Sequence, residues 1–297
     1  MIIFIIMEIY ISIQILSLKD HMDNSAYQGN RLSRALRFSL DNIKSVFAWG
    51  GSLILAAIAT AIGMTFWMAA YSYSATYSYN IHWLLFGVIL LVSLIPILIY
   101  IIAVHGFLWE CIYTVLVGET VVKSGFEDIT YTLKNGACLF LITLEYAVVF
   151  VVFLIPMFIF VLPILLSIMP SIIGFLVFIL LLMILESVIL FWTMLQWAVF
   201  VESFDLIKGL NPLNSIKLIV AMPVNAITAC LSFLGIMVPY AIITLVFQIL
   251  CVPAILLPFI RIAQYTSLAY IAADFYMGSY MNGDDYQPLQ SENQHGM

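Results

Sequence analysis

Three charged residues stand inside otherwise apolar runs of this 297-residue chain: Glu145, Glu186 and Arg261. An unpaired charge at the centre of a bilayer costs about 2.5–3.5 kcal/mol on insertion scales, so each calls for a partner. Counted inward from the ends of their runs, Glu186 and Arg261 reach similar depths, and Glu145 lies nearer the opposite end. The expected ion pair is therefore Arg261 with Glu186, with Glu145 as the alternative. Such a pair either neutralises charge and fixes helix packing or forms part of a polar route for a proton, an ion or a polar solute. In the second case Gln196, Asn225, Gln248, Gln264 and His105 are the further candidates.

Other chemistry has little to stand on. Metal-dependent catalysis needs His, Cys, Asp or Glu clustered at usable spacing, but His21, His82, His105 and His295 lie in separate regions. Glu110 and Cys111 raise the idea of an intramembrane nucleophile. The base within reach in sequence is His105, which a five-residue step places poorly on a helix. No His-Glu-x-x-His, phosphate-binding glycine loop or nucleophile elbow occurs. The chain reads as noncatalytic, with no cofactor. Cys111, Cys138, Cys230 and Cys251 are scattered singly through apolar surroundings and read as small packing residues.

The elements that hold these residues follow from composition. Apolar residues make up 64% of the chain and charged ones 9%, against about 45–50% and 25% in a soluble domain. That leaves too little polar surface to cover a water-facing globule, and no basic patch for nucleic acid. A helix crosses the hydrocarbon in about 20 apolar residues. Six stretches qualify: roughly 46–70, 81–105, 137–166, 171–200, 220–247 and 251–275. Pro96, Pro156, Pro163, Pro239 and Pro258 lie within them as expected kinks. Tight antiparallel hairpins are expected at Ser167–Ser171 and around Leu250.

Charge placement orients the spans. Lys19, Arg31, Arg34, Arg37 and Lys44 precede the first span, Lys123 and Lys134 separate the second from the third, and Lys208 and Lys217 separate the fourth from the fifth. Nine of the ten cations thus share one face. Because Lys and Arg bias a loop toward the cytoplasm, both termini are expected there, in a multi-pass protein of the cell membrane. The other face carries the stretch YSYSATYSYNIHW, whose tyrosines and Trp83 suit an interfacial aromatic belt.

Three segments expected on the cytoplasmic side resemble one another: 34–50, 123–140 and 208–224. Leu40-Asp41-Asn42-Ile43-Lys44 matches Leu213-Asn214-Ser215-Ile216-Lys217 in pattern, and Asp41, Asp128 and Asn214 stand 87 and 86 residues apart. That period predicts three modules, each an amphipathic helix followed by a hairpin of two spans. Leu36, Leu40, Ile43 and Phe47 recur at steps of four, three and four, so the first such helix is expected in the headgroup layer with this stripe toward the acyl chains. In the third, Gly209, Asn211 and Pro212 supply the turn. Acids such as Asp128, Glu202 and Asp205 suit helix starts.

The stretch HGFLWECIYTVLVGETVVKSGFEDITYTLKNGACLFL resembles the family called domain of unknown function 4013, common in archaeal, especially methanogen, membrane proteins. The matching positions are Gly106-Phe107, Gly118-Glu119, Phe126-Glu127-Asp128 and Gly136. The stretches WAVFVESFDLIKGLNPLNSIKLI and AQYTSLAYIAADFY are similar to the family's later acidic segment and final span. The prolines usual in the acidic segment between the second and third spans are missing here. The resemblance covers roughly residues 31–280 and implies a polytopic membrane protein without an assigned activity.

The expected fold is all-α: a leader over residues 1–30, a six-span membrane domain over 31–280 with modules at about 31–117, 118–204 and 205–280, and a polar cytoplasmic tail over 281–297. The first 21 residues alternate Ile with Tyr, Ser and Gln and lack the marks of a secretory signal. They read as a gene-start artefact ahead of Met22. The expected function is noncatalytic and directed at the lipid bilayer or at membrane-protein partners, the alternative being a transporter or channel with a polar route near Glu186 and Arg261.

Overall fold

The computed structural model describes residues 30–77, 82–122, 128–249 and 256–281, and all regular structure among them is helical. In hydrocarbon every backbone N–H and C=O must be satisfied within the segment, which is why long apolar runs fold as helices. The elements are α1 (Arg31–Asp41), α2 (Ile43–Tyr77), α3 (His82–Leu116), α4 (Ile129–Pro156), a π-helical turn (Met157–Val161), α5 (Leu162–Ile168), α6 (Ser171–Ser203), α7 (Leu206–Leu210), α8 (Pro212–Ala221), α9 (Pro223–Ile249) and α10 (Leu257–Met281). The π turn directly follows Pro156, whose missing N–H disturbs the α-helical ladder at that point. The expected hairpin at Ser167–Ser171 is present, with Met169 and Pro170 between α5 and α6. The one expected around Leu250 lies outside the described residues.

Five helical stretches are long and apolar enough to cross a membrane: Ile43–Ala69, Gly87–Leu116, Ile129–Ile168, Ser171–Ser203 and Pro223–Thr244. The sixth expected span corresponds to α10, which is not among the five. It carries Arg261, Gln264, Thr266, Ser267 and Asp274, yet it is largely enclosed, packed against α1, α2, α3, α6 and α9. Most of its residues face protein, and its Thr266 and Ser267 hydroxyls are satisfied on its own backbone. The Thr266 hydroxyl donates to the Ile262 carbonyl at 2.8 Å and Ser267 to Ala263 at 3.0 Å. A helix in that position has no need to be apolar all round.

The packed core collects at one end of the bundle. It is built from Val104–Leu116 of α3, Leu139 and Ile142 of α4, Ile189–Val201 of α6, Phe233–Met237 of α9 and Ile262–Tyr276 of α10. Rings lock it: Phe191 lies edge-on to both Phe233 and Phe275, and Trp109 stacks on Tyr113 at 5.2 Å. Beyond this core, large apolar side chains such as Leu55, Phe66, Leu91, Val148, Phe160 and Ile172 are exposed. Acyl chains solvate such residues as well as protein does, so helices can part there at little cost.

Three like modules are not evident among the described residues, and residues 123–127, which open the second expected segment, lie outside them. The first and third have separate short helices, α1 and α7–α8, but α4 starts at Ile129 and runs unbroken to Pro156. Ile43-Lys44 opens the long helix α2, whereas Ile216-Lys217 sits in the middle of α8, six residues before α9 begins. The shared string thus occupies different helical contexts.

The expectation for α1 also needs correction. Asn30 caps it, its side chain accepting from Leu32 N at 2.7 Å. Instead of resting on lipid alone, α1 runs antiparallel along α10: Ser39 donates to the Ala263 carbonyl at 3.2 Å, Phe38 packs on Tyr270 at 5.2 Å, and Arg31 meets Asp274. Ala35, Phe38 and Ser39 are buried on that side. Of the expected lipid-facing stripe, Leu36 is exposed, Leu40 and Ile43 are half-buried, and Phe47 packs on Phe259.

Candidate functional site

Polar and charged side chains enter the apolar interior where α3, α4, α6 and α10 meet. Arg261, one turn into α10, donates from Nη1 to Gln264 Oε1 at 3.0 Å. Gln264 is buried and Arg261 exposed. The direct ion pair expected between Arg261 and Glu186 is not formed; the guanidinium prefers the acceptor three residues on, on its own helix. Glu186 on α6 still feels the Arg261 charge, and Tyr265 on α10 feels both. Tyr146 on α4 lies within the same electrostatic reach of Glu186 and Tyr265. These residues bring one cation, one acid and two phenols from three helices into one neighbourhood.

A second group lies between α3, α4 and α6. Glu145, the alternative partner, faces Gln196 rather than Arg261. Glu145 Oε2 and Gln196 Nε2 are both buried and fall short of hydrogen-bond geometry with any described residue, as does Asn135 Nδ2. His105 Nδ1 donates to the Ile101 carbonyl at 2.7 Å, and its Nε2 lies 3.0 Å from the Thr143 hydroxyl. That hydroxyl also lies 2.8 Å from the Leu139 carbonyl. With one proton to give, Thr143 donates either to a neutral His105 or to Leu139, so the pair can carry a proton in two arrangements. Asn225 belongs elsewhere, in the first turn of α9, where its carbonyl accepts from Arg31. The side chain of Gln248 is outside the described residues.

The described family-like positions lie at helix contacts and helix ends. Gly106 of α3 and Gly136 of α4 face each other where the two backbones touch: a Cβ on Gly106 would strike the Thr132 carbonyl oxygen, and one on Gly136 the Ile102 carbonyl oxygen. Phe107, fully buried, packs its ring 5.7 Å from that of Trp49. Gly118 ends α3 with φ +78°, its N–H bonding to Val115 O at 3.0 Å and that of Glu119 to Thr114 O at 2.9 Å. This is the paired terminator in which a left-handed residue closes the last carbonyls. Gly118→Ala is expected to cost about 1 kcal/mol, the penalty of placing a Cβ in the left-handed region, and to lower the thermal unfolding midpoint in detergent. Asp128 caps α4, its Oδ1 accepting from Tyr131 N at 3.0 Å. Phe126 lies outside the described residues. Asp205 likewise caps α7, whereas Glu202 sits near the end of α6 and accepts from the Tyr276 hydroxyl at 3.4 Å.

Among the described residues the shortest ion pair involves none of the residues expected to pair. Asp274 near the end of α10 receives Arg31 Nε at 2.8 Å and Arg34 Nη1 at 3.1 Å. Arg31 Nη1 reaches onward to the Asn225 carbonyl and the Thr228 hydroxyl at the start of α9, both at 3.3 Å. Asn42 adds a second tie: its Nδ2 donates to Thr120 O at 3.0 Å and its Oδ1 accepts from Val122 N at 2.7 Å. The sequence signal for the first tie is Asp274 itself, an acid in the last turns of an apolar run. Nothing local marks the second.

Fold and site together define the class: an all-helical chain whose long apolar helices fit a membrane protein, with polar side chains set into the apolar core. No family model, curated protein or solved structure matches it.

Proposed function

We propose that this chain is a six-span protein of the cell membrane with both termini cytoplasmic, α10 completing the spans, and that it belongs to the domain of unknown function 4013 family. In this reading it is noncatalytic and acts on lipid or on membrane-protein partners through the short helices α1, α7 and α8. One observation carries it: Arg31 ties α1 to the start of α9, directly after α8, so the short cationic helices gather at the same end of the bundle. This agrees with the one-sided placement of Lys and Arg. Single cysteines at Lys44, Lys217 and Ser167, probed with an impermeant reagent, test it. Lys44→Cys and Lys217→Cys are expected to react from the cytoplasmic compartment and Ser167→Cys from the other. Reaction of the first two from opposite compartments would overturn the topology.

A second reading, a transporter or channel, draws on Glu145 and Gln196, which face each other with buried polar atoms outside hydrogen-bond geometry, and on the His105–Thr143 pair. A route from Glu186 and Arg261 past this group would serve a proton or a small polar solute. Proton flux into proteoliposomes that Glu145→Gln abolishes would favour it, and absence of flux would favour the first reading.

A further inference from the structure

The stretch from α7 to the first turns of α9 is amphipathic in an unusual arrangement. Its inner side is fixed: Ser215 is fully buried and accepts from the Trp192 indole N–H at 2.7 Å, and Gly209 sits against Phe200 and Ile142. Asn214 Nδ2 donates to the Lys208 carbonyl at 3.1 Å and holds α8 to α7. The outer side is apolar and open. Leu213, Ile216, Val220, Val224, Ile227 and Leu231 are all exposed, between 41% and 71%. Steps of three and four align Leu213, Ile216 and Val220 on α8, and Val224, Ile227 and Leu231 on α9; only Met222 separates these two exposed stripes, and α9 is a helix of membrane-crossing length and composition.

That adjacency points to what covers α8. The same medium that solvates Val224, Ile227 and Leu231 on α9 extends over Leu213, Ile216 and Val220, so α8 lies where the hydrocarbon ends. Lys208 and Lys217 are both exposed beside the stripe. The nearest acid in sequence, Asp205, is occupied in capping α7. An apolar stripe with cations at its edge, and no exposed acid between residues 206 and 224, matches a headgroup layer that carries negative phosphates.

We infer that α7–α8 is a binding surface for anionic phospholipid, Lys208 and Lys217 engaging the headgroup phosphates while Leu213, Ile216 and Val220 enter the acyl layer. The inference rests on reading these helices as interfacial, and it can fail alone: labelling can place Lys217 in the cytoplasm while lipid charge proves irrelevant.

The test uses the full chain in micelles of a neutral detergent, with the thermal unfolding midpoint followed as phosphatidylglycerol is added. Phosphatidylcholine and inorganic phosphate serve as parallel arms. Phosphatidylglycerol is expected to raise the midpoint and phosphatidylcholine to do so much less. In the Lys208→Gln/Lys217→Gln variant the apparent affinity for phosphatidylglycerol is expected to fall about 30-fold, the consequence of losing two cations near an anionic surface. Both side chains are exposed, so the variant's midpoint without lipid should be unchanged. Equal responses to the two lipids, or an unaltered affinity in the variant, would overturn the inference. Stabilisation by inorganic phosphate alone would overturn the assignment to lipid. A stripe that instead crosslinks to a co-purified protein, with no response to lipid, would assign this surface to a protein.

Discussion

Gly136→Leu is expected to leave almost no monodisperse protein after detergent extraction. At that position α3 and α4 approach so closely that even a methyl group would fall on the Ile102 carbonyl oxygen and stand 2.7 Å from the Gly106 nitrogen. Those atoms belong to helix backbone and cannot turn aside as a side chain could, so the helices must separate. Separation would pull apart the packing of Phe107, Trp109 and Ile142 at the centre of the core. Overpacking of an ordinary core costs about 1–3 kcal/mol; a backbone collision at a small-residue crossing should exceed that range. Gly106→Leu should behave in the same way, because its Cβ would meet the Thr132 carbonyl. Gly51→Ala is the control, since nothing lies within 4 Å of the added carbon. A Gly136→Leu protein with the wild-type elution profile and unfolding midpoint would show that the crossing is not as close as described.

Asp274→Leu is expected to release α1 from the bundle. One carboxylate holds both Arg31 and Arg34, and its removal leaves Arg31, with a side chain only 18% exposed, without its main counter-charge. Breaking a fully buried ion pair costs about 3–5 kcal/mol. Arg34 is more than a third exposed and water screens its share, so about 2 kcal/mol is expected here. The sign of that change separates this contact from a dispensable surface pair. Limited proteolysis should cut within α1 faster in Asp274→Leu than in the parent. Arg31→Gln/Asp274→Asn should lose less than the sum of the single changes, because each single variant already removes the interaction. Additive losses, or an unchanged cleavage rate, would mean that Phe38, Ala35 and Ser39 hold α1 without help from the charges.

The long helices were legible because length and apolarity alone mark a membrane-crossing segment, and five of the six expected stretches have both. The caps at Asp128, Asp205 and Asn211 were also local matters, readable from residue type and position. What escaped is whatever depends on how helices are rotated and paired. Arg31 and Asp274 are 243 residues apart, and no spacing rule connects them. Glu186 and Arg261 were matched by depth, but depth leaves rotation about each helix axis free, and the guanidinium turned toward Gln264. The family-like glycines at 106 and 136 could be noticed without showing that they touch, since either could equally have ended a helix, as Gly118 does. The repeated Ile-Lys string misled for a related reason: three matching letters do not say whether a helix starts or continues there.

The place of α10 bears on how the molecule is made. Ribosomes release it after the helices it will contact, so α1, α2, α3, α6 and α9 must wait without their centrepiece. If α10 crosses the membrane as proposed, insertion machinery that sorts segments by oiliness would pass the earlier helices readily and hesitate over one bearing Arg261 and Asp274. Entry of α10 would then depend on a berth prepared by its predecessors, with Arg31 and Arg34 already in place to receive its acid. Quality control would accordingly meet an unfinished, protease-sensitive intermediate until α10 docks, and lesions in α10 would be felt as loss of the whole protein.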